Sequence, residues 1–365
     1  MKIMQIIPAL GMGGAEKVLE HLVRNQKENG DSISVVTFYD ETSPVSAAIK
    51  TMGIETICLN KKLGVDFTLI RKLKRIIKER APDVIHTHLY AIPYVFLSAG
   101  KTPIIHTVHS IAQKEQDGRT RPLCRCIYNS NRCTVVAINA YVKESLEQEY
   151  RMKADKVEVV LNGVPLNRCI EKKSYDFGNV IEVINVASLI PLKNHKIMID
   201  AVCLLNEKGT RVRLTCVGGG VCKDELEQYA VEKKVQDQVI FVGILPDVFS
   251  RLNRSDIFIL PSQYEGVPMS LIEAMGTGLP SIVTNNGGTV DMIRNYATGI
   301  LISPTAEALS DAILELEEKI ELRKELGVAA KNASIKYSDI QMAKNYNTIY
   351  GKAIARKRDR AEGAM

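Results

Sequence analysis

The sequence predicts an α/β protein built from two doubly wound, parallel-sheet domains. Short apolar runs alternate with helix-length amphipathic stretches along the whole chain, the pattern of parallel strands covered on both faces. The 365 residues exceed one ordinary domain and suit two or three. A polar segment at 165–180, containing Glu171-Lys172-Lys173-Ser174-Tyr175-Asp176, divides the alternation into two similar halves and reads as the inter-domain linker.

In the first half, apolar runs predict strands at 3–7, 34–38, 56–59, 84–86, 104–107, 134–138 and 157–160. Helical periodicity is plain at 15–28 and 67–80. The second of these sets Leu69, Ile70, Leu73, Ile76 and Ile77 on one face, with Arg71, Lys72, Lys74, Arg75 and Lys78 elsewhere. The second half repeats the grammar. Strands are predicted at 181–187, 213–217, 239–241, 257–260, 281–284 and 299–302, and helices at 194–207, 223–233, 269–275, 306–316 and 321–336. In such folds ligands bind at the carboxyl ends of strands, so the crevice between the domains is the expected site.

Composition narrows the class. Apolar residues make up 45% and charged residues 25%, a globular balance without the roughly 20-residue apolar run of a membrane span. The opening Met1-Lys2-Ile3-Met4-Gln5-Ile6-Ile7-Pro8 reads as a buried strand rather than a signal peptide. Eight cysteines follow neither a disulfide framework nor a zinc spacing, so reduced thiols and a cytoplasmic location are expected. Cys124, Cys126 and Cys133 cluster without a nearby His, and no metal is expected there. Net charge is +6, and the excess lies in residues 1–168, with 24 Lys and Arg against 17 Asp and Glu. A basic half suits an anionic partner such as a membrane surface, a lipid phosphate or a nucleic acid. No Asp-x-Asp pair, Walker loop, His-Glu-x-x-His or Gly-x-Ser-x-Gly occurs. Two glycine-rich loops, Gly11-Met12-Gly13-Gly14-Ala15-Glu16 and Gly218-Gly219-Gly220, follow strands, yet Glu16 and Lys223 stand where a dinucleotide fingerprint needs its last Gly, so NAD is disfavoured.

The most informative stretch is Ser262-Gln263-Tyr264-Glu265-Gly266-Val267-Pro268-Met269-Ser270-Leu271-Ile272-Glu273-Ala274-Met275-Gly276-Thr277-Gly278-Leu279-Pro280. It follows the apolar strand at 257–260, which puts Glu265 in a strand-end loop and Glu273 about a turn into the next helix. Two carboxylates so placed suit a hydroxyl-rich ligand, each accepting hydrogens from a sugar or ribose. The helix N-terminus beside them favours an anion.

This stretch resembles the signature of retaining nucleotide-sugar glycosyltransferases of the GT-B fold, family 4: Glu-Gly-x-Pro, a second Glu with seven residues between, then Ala-Met-x-x-Gly-x-Pro. Gly287-Gly288 is similar to the family's Gly-Gly turn, and Asp291 falls where many members have Glu. The resemblance covers nearly the whole chain. It implies an N-terminal acceptor domain at 1–168, a C-terminal nucleotide-sugar donor domain at 169–340, and a last helix at 341–365 packing back on the first domain.

By the same resemblance, Glu273 would bind the ribose and Glu265 the transferred sugar near the reaction centre. Amides of Gly266, Val267, Pro268's neighbours and Met269 would face sugar or diphosphate. Lys193, in Asn185-Val186-Ala187-Ser188-Leu189-Ile190-Pro191-Leu192-Lys193-Asn194-His195, would neutralise the departing diphosphate. Ser188 stands where many members have Arg, leaving one fixed cation where two are common unless Arg24 or Arg213 compensates. Thr107-Val108-His109 matches a Thr-x-His pattern that would set His109 on the donor sugar, and His86 and His88 resemble a common strand-end pattern. Gly13 and Gly14 would line the acceptor and phosphate loop, Gly218 and Gly220 would approach the nucleotide, and Asn162 would border the crevice.

The reading is a metal-independent, cofactor-free, retaining transferase. Its expected partners are a UDP-sugar donor and a lipid-linked glycan acceptor for bacterial surface polysaccharide. Peripheral contact with anionic membrane at the inner face of the cell membrane is also expected, and nucleic acid is not. Alternatives are a nucleotide-sugar epimerase of the same fold and an inactive sugar-nucleotide-binding subunit.

Overall fold

The computed structural model describes the whole chain except residues 41, 116, 117, 119, 246 and 363–365, and the side chains of 360–362. The chain divides into two compact units, one formed by 1–163 with 339–365 and the other by 164–338.

The first unit holds a seven-stranded sheet of β1 (Lys2–Ile7), β2 (Ser32–Thr37), β3 (Glu55–Cys58), β4 (Val84–His88), β5 (Ile104–Val108), β6 (Cys133–Ala137) and β7 (Val157–Val159), in the order β3-β2-β1-β4-β5-β6-β7. The second holds β8 (Ile181–Val186), β9 (Val212–Val217), β10 (Val239–Gly243), β11 (Ile257–Leu260), β12 (Ser281–Thr284) and β13 (Ile300–Ile302), in the order β10-β9-β8-β11-β12-β13. Every strand pair within these sheets is parallel. Winding reverses between β1 and β4 in one sheet and between β8 and β11 in the other, which makes the loops after these strands the natural ligand-binding positions.

All thirteen strands lie within a residue or two of their predicted positions because apolar β-branched runs have no other way to be buried on both faces. β4 extends to His88, which pairs with Thr107 of β5. Periodicity missed the helices Pro44–Thr51 and Ala140–Tyr150, whose starts are set by local caps: a capping box at Ser43 and the Asn139 side chain on the Val142 amide. Pro268 is the N-cap of Met269–Thr277, next to the predicted start of that helix.

The first compact unit ends at Gly163, five residues before the expected boundary at 168/169, and hydrogen bonds tie 165–180 to the second unit. Val164 donates its amide to Tyr337 and bridges Ser338, tying both crossings of the chain together. Further along, Lys172 donates its amide to Thr277 and its ammonium to Ser255 and Asp256, while the Tyr175 hydroxyl caps the Gly278 carbonyl. Polar side chains that look solvated in sequence here satisfy buried backbone groups. The last helix, Asp339–Glu362, belongs to the first unit, where Tyr346 and Tyr350 are buried and Asp339 accepts from Asn25.

Among the described residues no helix is long and apolar enough to cross a membrane. All eight cysteines are free, and no described group of three or more His, Cys, Asp or Glu is arranged to hold a metal.

Candidate active site

In the second unit the site is built on the loops after β8 and β11. Glu265 is 7% exposed, and its Oε1 accepts from the Lys193 ammonium at 2.6 Å and the Ser262 hydroxyl at 2.7 Å. Two neighbouring loops hold this carboxylate loop. From the β8 side, Gln263 donates its amide to Leu192, and Asn194 donates its side-chain amide to the Pro261 carbonyl at 2.8 Å. From the β12 side, Thr284 Oγ1 and Asn286 Nδ2 both reach the Ser262 carbonyl, and the Gly288 amide donates to the Glu265 carbonyl. Gly287 has a φ of 53°, and an added Cβ would lie 2.4 Å from that same carbonyl oxygen. The Gly-Gly turn is therefore required by close backbone approach.

Lys193 reaches Glu265 because Asn194 adopts a left-handed conformation (φ 54°) that turns the chain into helix His195–Glu207. Neither this helix nor Met269–Thr277 has a side-chain cap or an acidic residue in its first turn. Their leading N–H groups are the kind that receive an anion, worth roughly 0.3–2 kcal/mol per terminus. By contrast, helix Lys223–Glu232 carries Asp224 and Glu225 in its first turn.

The remaining sequence candidates in this unit sort by position. Gly266, Val267 and Met269 flank the uncapped N-terminus, with Pro268 buried at the cap. Glu273 is half-buried on the same helix, beside Cys169, whose thiol donates to the Glu273 carbonyl and is pushed up to about 12 by burial and then by that carboxylate. Ser188 is exposed in the loop after β8. A Cβ on Gly218 would stand 2.0 Å from the Ala187 carbonyl oxygen, and one on Gly220 would stand 2.3 Å from that of Leu189. These two glycines are accounted for by loop-on-loop packing.

Arg213 lies near the start of β9, paired with Glu182 at the amino edge of the sheet, opposite the loops that carry Lys193. It therefore cannot replace the missing Arg at 188. Arg24 is held by Glu20 on helix Gly14–Glu28.

In the first unit Gly13 caps helix Gly14–Glu28. A Cβ there would meet the Glu16 carboxylate at 2.5 Å, whereas one on Gly14 would meet nothing within 4 Å. His109 follows β5, and its Nε2 lies 2.9 Å from His88 Nδ1. His86 and His88 share a face of β4, as residues two apart must, and both rings are buried within the unit: His86 touches Tyr350 Oη and Thr107 Oγ1, and His88 Nε2 touches Gln5 Oε1. On the other face His106 donates to the Thr87 carbonyl and accepts from Tyr128. Burial holds all four imidazoles below their ordinary value, to about 4 for His109 and about 3 for His106. The charged form cannot be solvated there. Burial also lifts Glu115 to about 8, although its carboxylate receives the His109 and Ser110 amides.

Sequence reasoning gave no role to Ser262, Gln5, Gln26, Glu115 or Tyr350. A Gln inside the apolar run 3–7 was the available signal, since a central strand buries no amide without a partner. His195 opens the helix that follows Lys193 and Asn194. It is 3% exposed, both ring nitrogens are unpartnered, and burial and then Lys193 lower it to about 4.

The architecture is that of two Rossmann-like, parallel-sheet units, and comparison with known proteins places the chain within a transferase family. The model for "Glycosyltransferase Family 4" matches residues 12–168, and that for "Glycosyl transferases group 1" matches residues 169–333. The chain belongs to the glycosyltransferases of the GT-B fold, family 4. It is similar to an Escherichia coli UDP-Gal:alpha-D-GlcNAc-diphosphoundecaprenol alpha-1,3-galactosyltransferase, 26% identical over 284 residues, 72% of this chain and 73% of that protein. It is also similar to a Corynebacterium efficiens D-inositol 3-phosphate glycosyltransferase, 24% identical over 77% of this chain and 75% of that one. Among solved structures, Anabaena HepE in complex with UDP and glucose matches with a TM-score of 0.83 at 19% identity, covering 96% of this chain and 99% of that one.

Proposed function

We propose that this enzyme is a retaining, metal-independent glycosyltransferase that moves a sugar from a UDP-sugar to a hydroxyl of a lipid-linked glycan in surface polysaccharide synthesis. The observation that carries this is the Lys193–Glu265–Ser262 cluster flanked by two uncapped helix N-termini at the switch point of the second unit. A departing nucleoside diphosphate needs its growing charge met, and fixed cations and aligned amides do that without reorganising. The ammonium has three hydrogens, so Lys193 can keep Glu265 while reaching a phosphate. The Escherichia coli relative is named for a UDP-sugar donor and a diphosphoundecaprenol acceptor, and the HepE structure contains UDP.

Retention requires the acceptor to attack on the face that the diphosphate leaves, or two successive inversions. Glu265 is the available nucleophile for the second route. Its Oε1 already carries hydrogen bonds from Lys193 and Ser262, which lower its nucleophilicity, so same-face attack is favoured and Glu265 serves to accept sugar hydroxyls. In this reading Glu273 binds the ribose and His109 contacts the sugar.

The acceptor belongs to the first unit. The loop after β3, on the carboxyl edge that also bears the Gly13 and His109 loops, exposes Leu63 at 95% and Val65 at 75%, and Phe67, at the start of the helix beyond it, is 72% exposed. Helix Phe67–Arg80 follows it and exposes Arg71, Lys74 and Lys78. Apolar side chains beside cations suit the headgroup region of an anionic leaflet at the inner face of the membrane. Vesicles containing anionic lipid should bind the wild type and lose a Leu63→Ser, Val65→Ser, Phe67→Ser variant. Equal binding would remove the membrane from this reading.

The transfer itself is tested with a panel of UDP-, GDP- and ADP-sugars and a polyprenyl-diphosphate-linked sugar, with and without chelator. The expected product is a glycan of unchanged anomeric configuration, formed equally with chelator present. An inverted product would sink retention, and loss of turnover on chelation would sink metal independence. A new sugar epimer formed from donor alone would establish the epimerase instead. No transfer and no epimer from any donor would favour the inactive subunit.

A further inference from the structure

A continuous run of buried polar groups leads from the C-terminal helix to His109. Tyr350 Oη lies 2.7 Å from His86 Nδ1 and 3.2 Å from Gln26 Nε2. Gln26 Oε1 accepts from Gln5 Nε2 at 3.1 Å, Gln5 Oε1 lies 3.0 Å from His88 Nε2, and His88 Nδ1 lies 2.9 Å from His109 Nε2. Gln5, Gln26, His86, His88 and Tyr350 are all 0% exposed, so solvent does not replace any link.

With the Gln5 and Gln26 amides oriented as in the structure, the hydrogens follow from what each atom can do. An amide nitrogen only donates and an amide oxygen only accepts. With its nitrogen on Gln26, Gln5 presents oxygen to His88, which must then carry hydrogen on Nε2 and offer a bare Nδ1. His109 donates into that nitrogen from Nε2, which leaves its own Nδ1 a bare acceptor. That atom is buried and has no partner. No member can turn alone: reversing the Gln5 amide sets like groups against Gln26 and His88, so Gln26, Tyr350, His86, His88 and His109 would all have to reverse with it. At the far end the run continues from His86 Nε2, 2.7 Å from Thr107 Oγ1, which is itself 2.8 Å from Tyr346 Oη. The His109 backbone is fixed separately, through its amide and that of Ser110 on the Glu115 carboxyl.

We propose that His88 is a positioning residue for the transfer. Held by a relay from Tyr350 through Gln26 and Gln5, it keeps His109 in the tautomer whose Nδ1 accepts a hydrogen from a sugar hydroxyl. This rests on the transferase reading above and adds to it the polarity of that contact and the part played by the C-terminal helix. A site built to accept from a hydroxyl discriminates strongly against a sugar lacking it, because the buried acceptor is then left unpaired.

The test uses the full-length chain labelled with 15N-histidine, with tautomers read from long-range 1H–15N correlations and kinetics measured in parallel. Wild-type His109 should show hydrogen on Nε2 alone. His88→Leu should mix the His109 tautomers and lower kcat by about tenfold to a hundredfold, with a smaller change in donor KM. His88→Asn, which can still present an acceptor oxygen, should recover part of the loss, and Tyr350→Phe should lower kcat severalfold with mixed His88 tautomers. A wild-type His109 protonated on Nδ1 would overturn the proposal, as would a folded His88→Leu enzyme of unchanged kcat or a His88→Asn enzyme no better than it. If His88→Leu does not fold, the wild-type tautomer and the Tyr350→Phe kinetics decide. Failure of the transferase reading is seen separately, as absent wild-type turnover, and leaves the tautomer measurement intact.

Discussion

Both sheets reverse their winding beside a central strand, and both place polar chemistry at that reversal, yet with opposite electrostatics. In the second unit the loops after β8 and β11 bring together an ammonium, a carboxylate and a hydroxyl within 2.7 Å contacts, flanked by uncapped helices. In the first unit β1, β4 and the loop after β5 bring together an amide and three imidazoles that burial keeps neutral. Fixed charge is useful where charge develops, at a departing diphosphate. Neutral, directional hydrogen bonds are useful where hydroxyls must be told apart, because a buried charge would cost several kcal/mol and distinguish little.

The largest expected effect tests the charged side. Lys193→Ala should lower kcat by about 10²–10³-fold, the size of losing one preorganised stabiliser of developing charge. His109→Ala should cost less in kcat and more in discrimination against deoxy-sugars. Steady-state kinetics on both variants check this, and equal kcat losses would erase the distinction between the units.

Next in size is Gly287→Ala. The left-handed φ of 53° and the 2.4 Å approach to the Glu265 carbonyl leave no room for a methyl group without moving the carboxylate loop. Turnover should fall at least tenfold and Tm should drop, while Gly14→Ala, with open space around it, should keep both the fold and Tm.

The neutral side is sharpened by pH. In the unfolded chain His109 gains a proton near 6.5, but in the folded chain only near 4. Protons therefore favour the unfolded chain between these values, and this contribution to stability, present above 6.5, is lost as pH falls through that window. Glu115 runs the other way. Unfolded it loses its proton near 4.5, folded only near 8, so its contribution is present below 4.5 and lost as pH rises through 8. The Tm of Glu115→Gln minus that of wild type should therefore grow from pH 4.5 to pH 8 and then level. A difference independent of pH would mean that the carboxyl is not held protonated.

The smallest expected effect is Ser188→Arg. Adding a cation to the exposed position after β8 should lower donor KM a fewfold with little change in kcat, read from donor saturation curves. A large gain in kcat would mean that Lys193 alone leaves the diphosphate under-stabilised.

Much of this was legible in the residues. Apolar runs and helical periodicity located every strand, because burial on two faces permits only that pattern. The Glu265-to-Pro280 stretch pointed to the family and to the donor-side candidates, since glycines and prolines at fixed offsets encode a loop geometry locally. Other features were not legible because they depend on atoms far apart in the chain. Lys193 and Glu265 are 72 residues apart, and only the order β8-β11 makes them neighbours. Arg213 looked available as a second cation until strand direction put it at the amino edge. The segment 165–180 looked like a solvated linker until Lys172 and Tyr175 were found satisfying buried carbonyls. Tyr350 and His86 lie 264 residues apart, and nothing local in either announces a hydrogen bond. By itself, the sequence determined the fold class, the family and the chemical types available, because these rest on local pattern and composition. The tertiary structure decided which groups are paired, which are neutral and which hydrogen sits on which nitrogen. Those properties depend on burial and on partners that only chain topology brings within 3 Å.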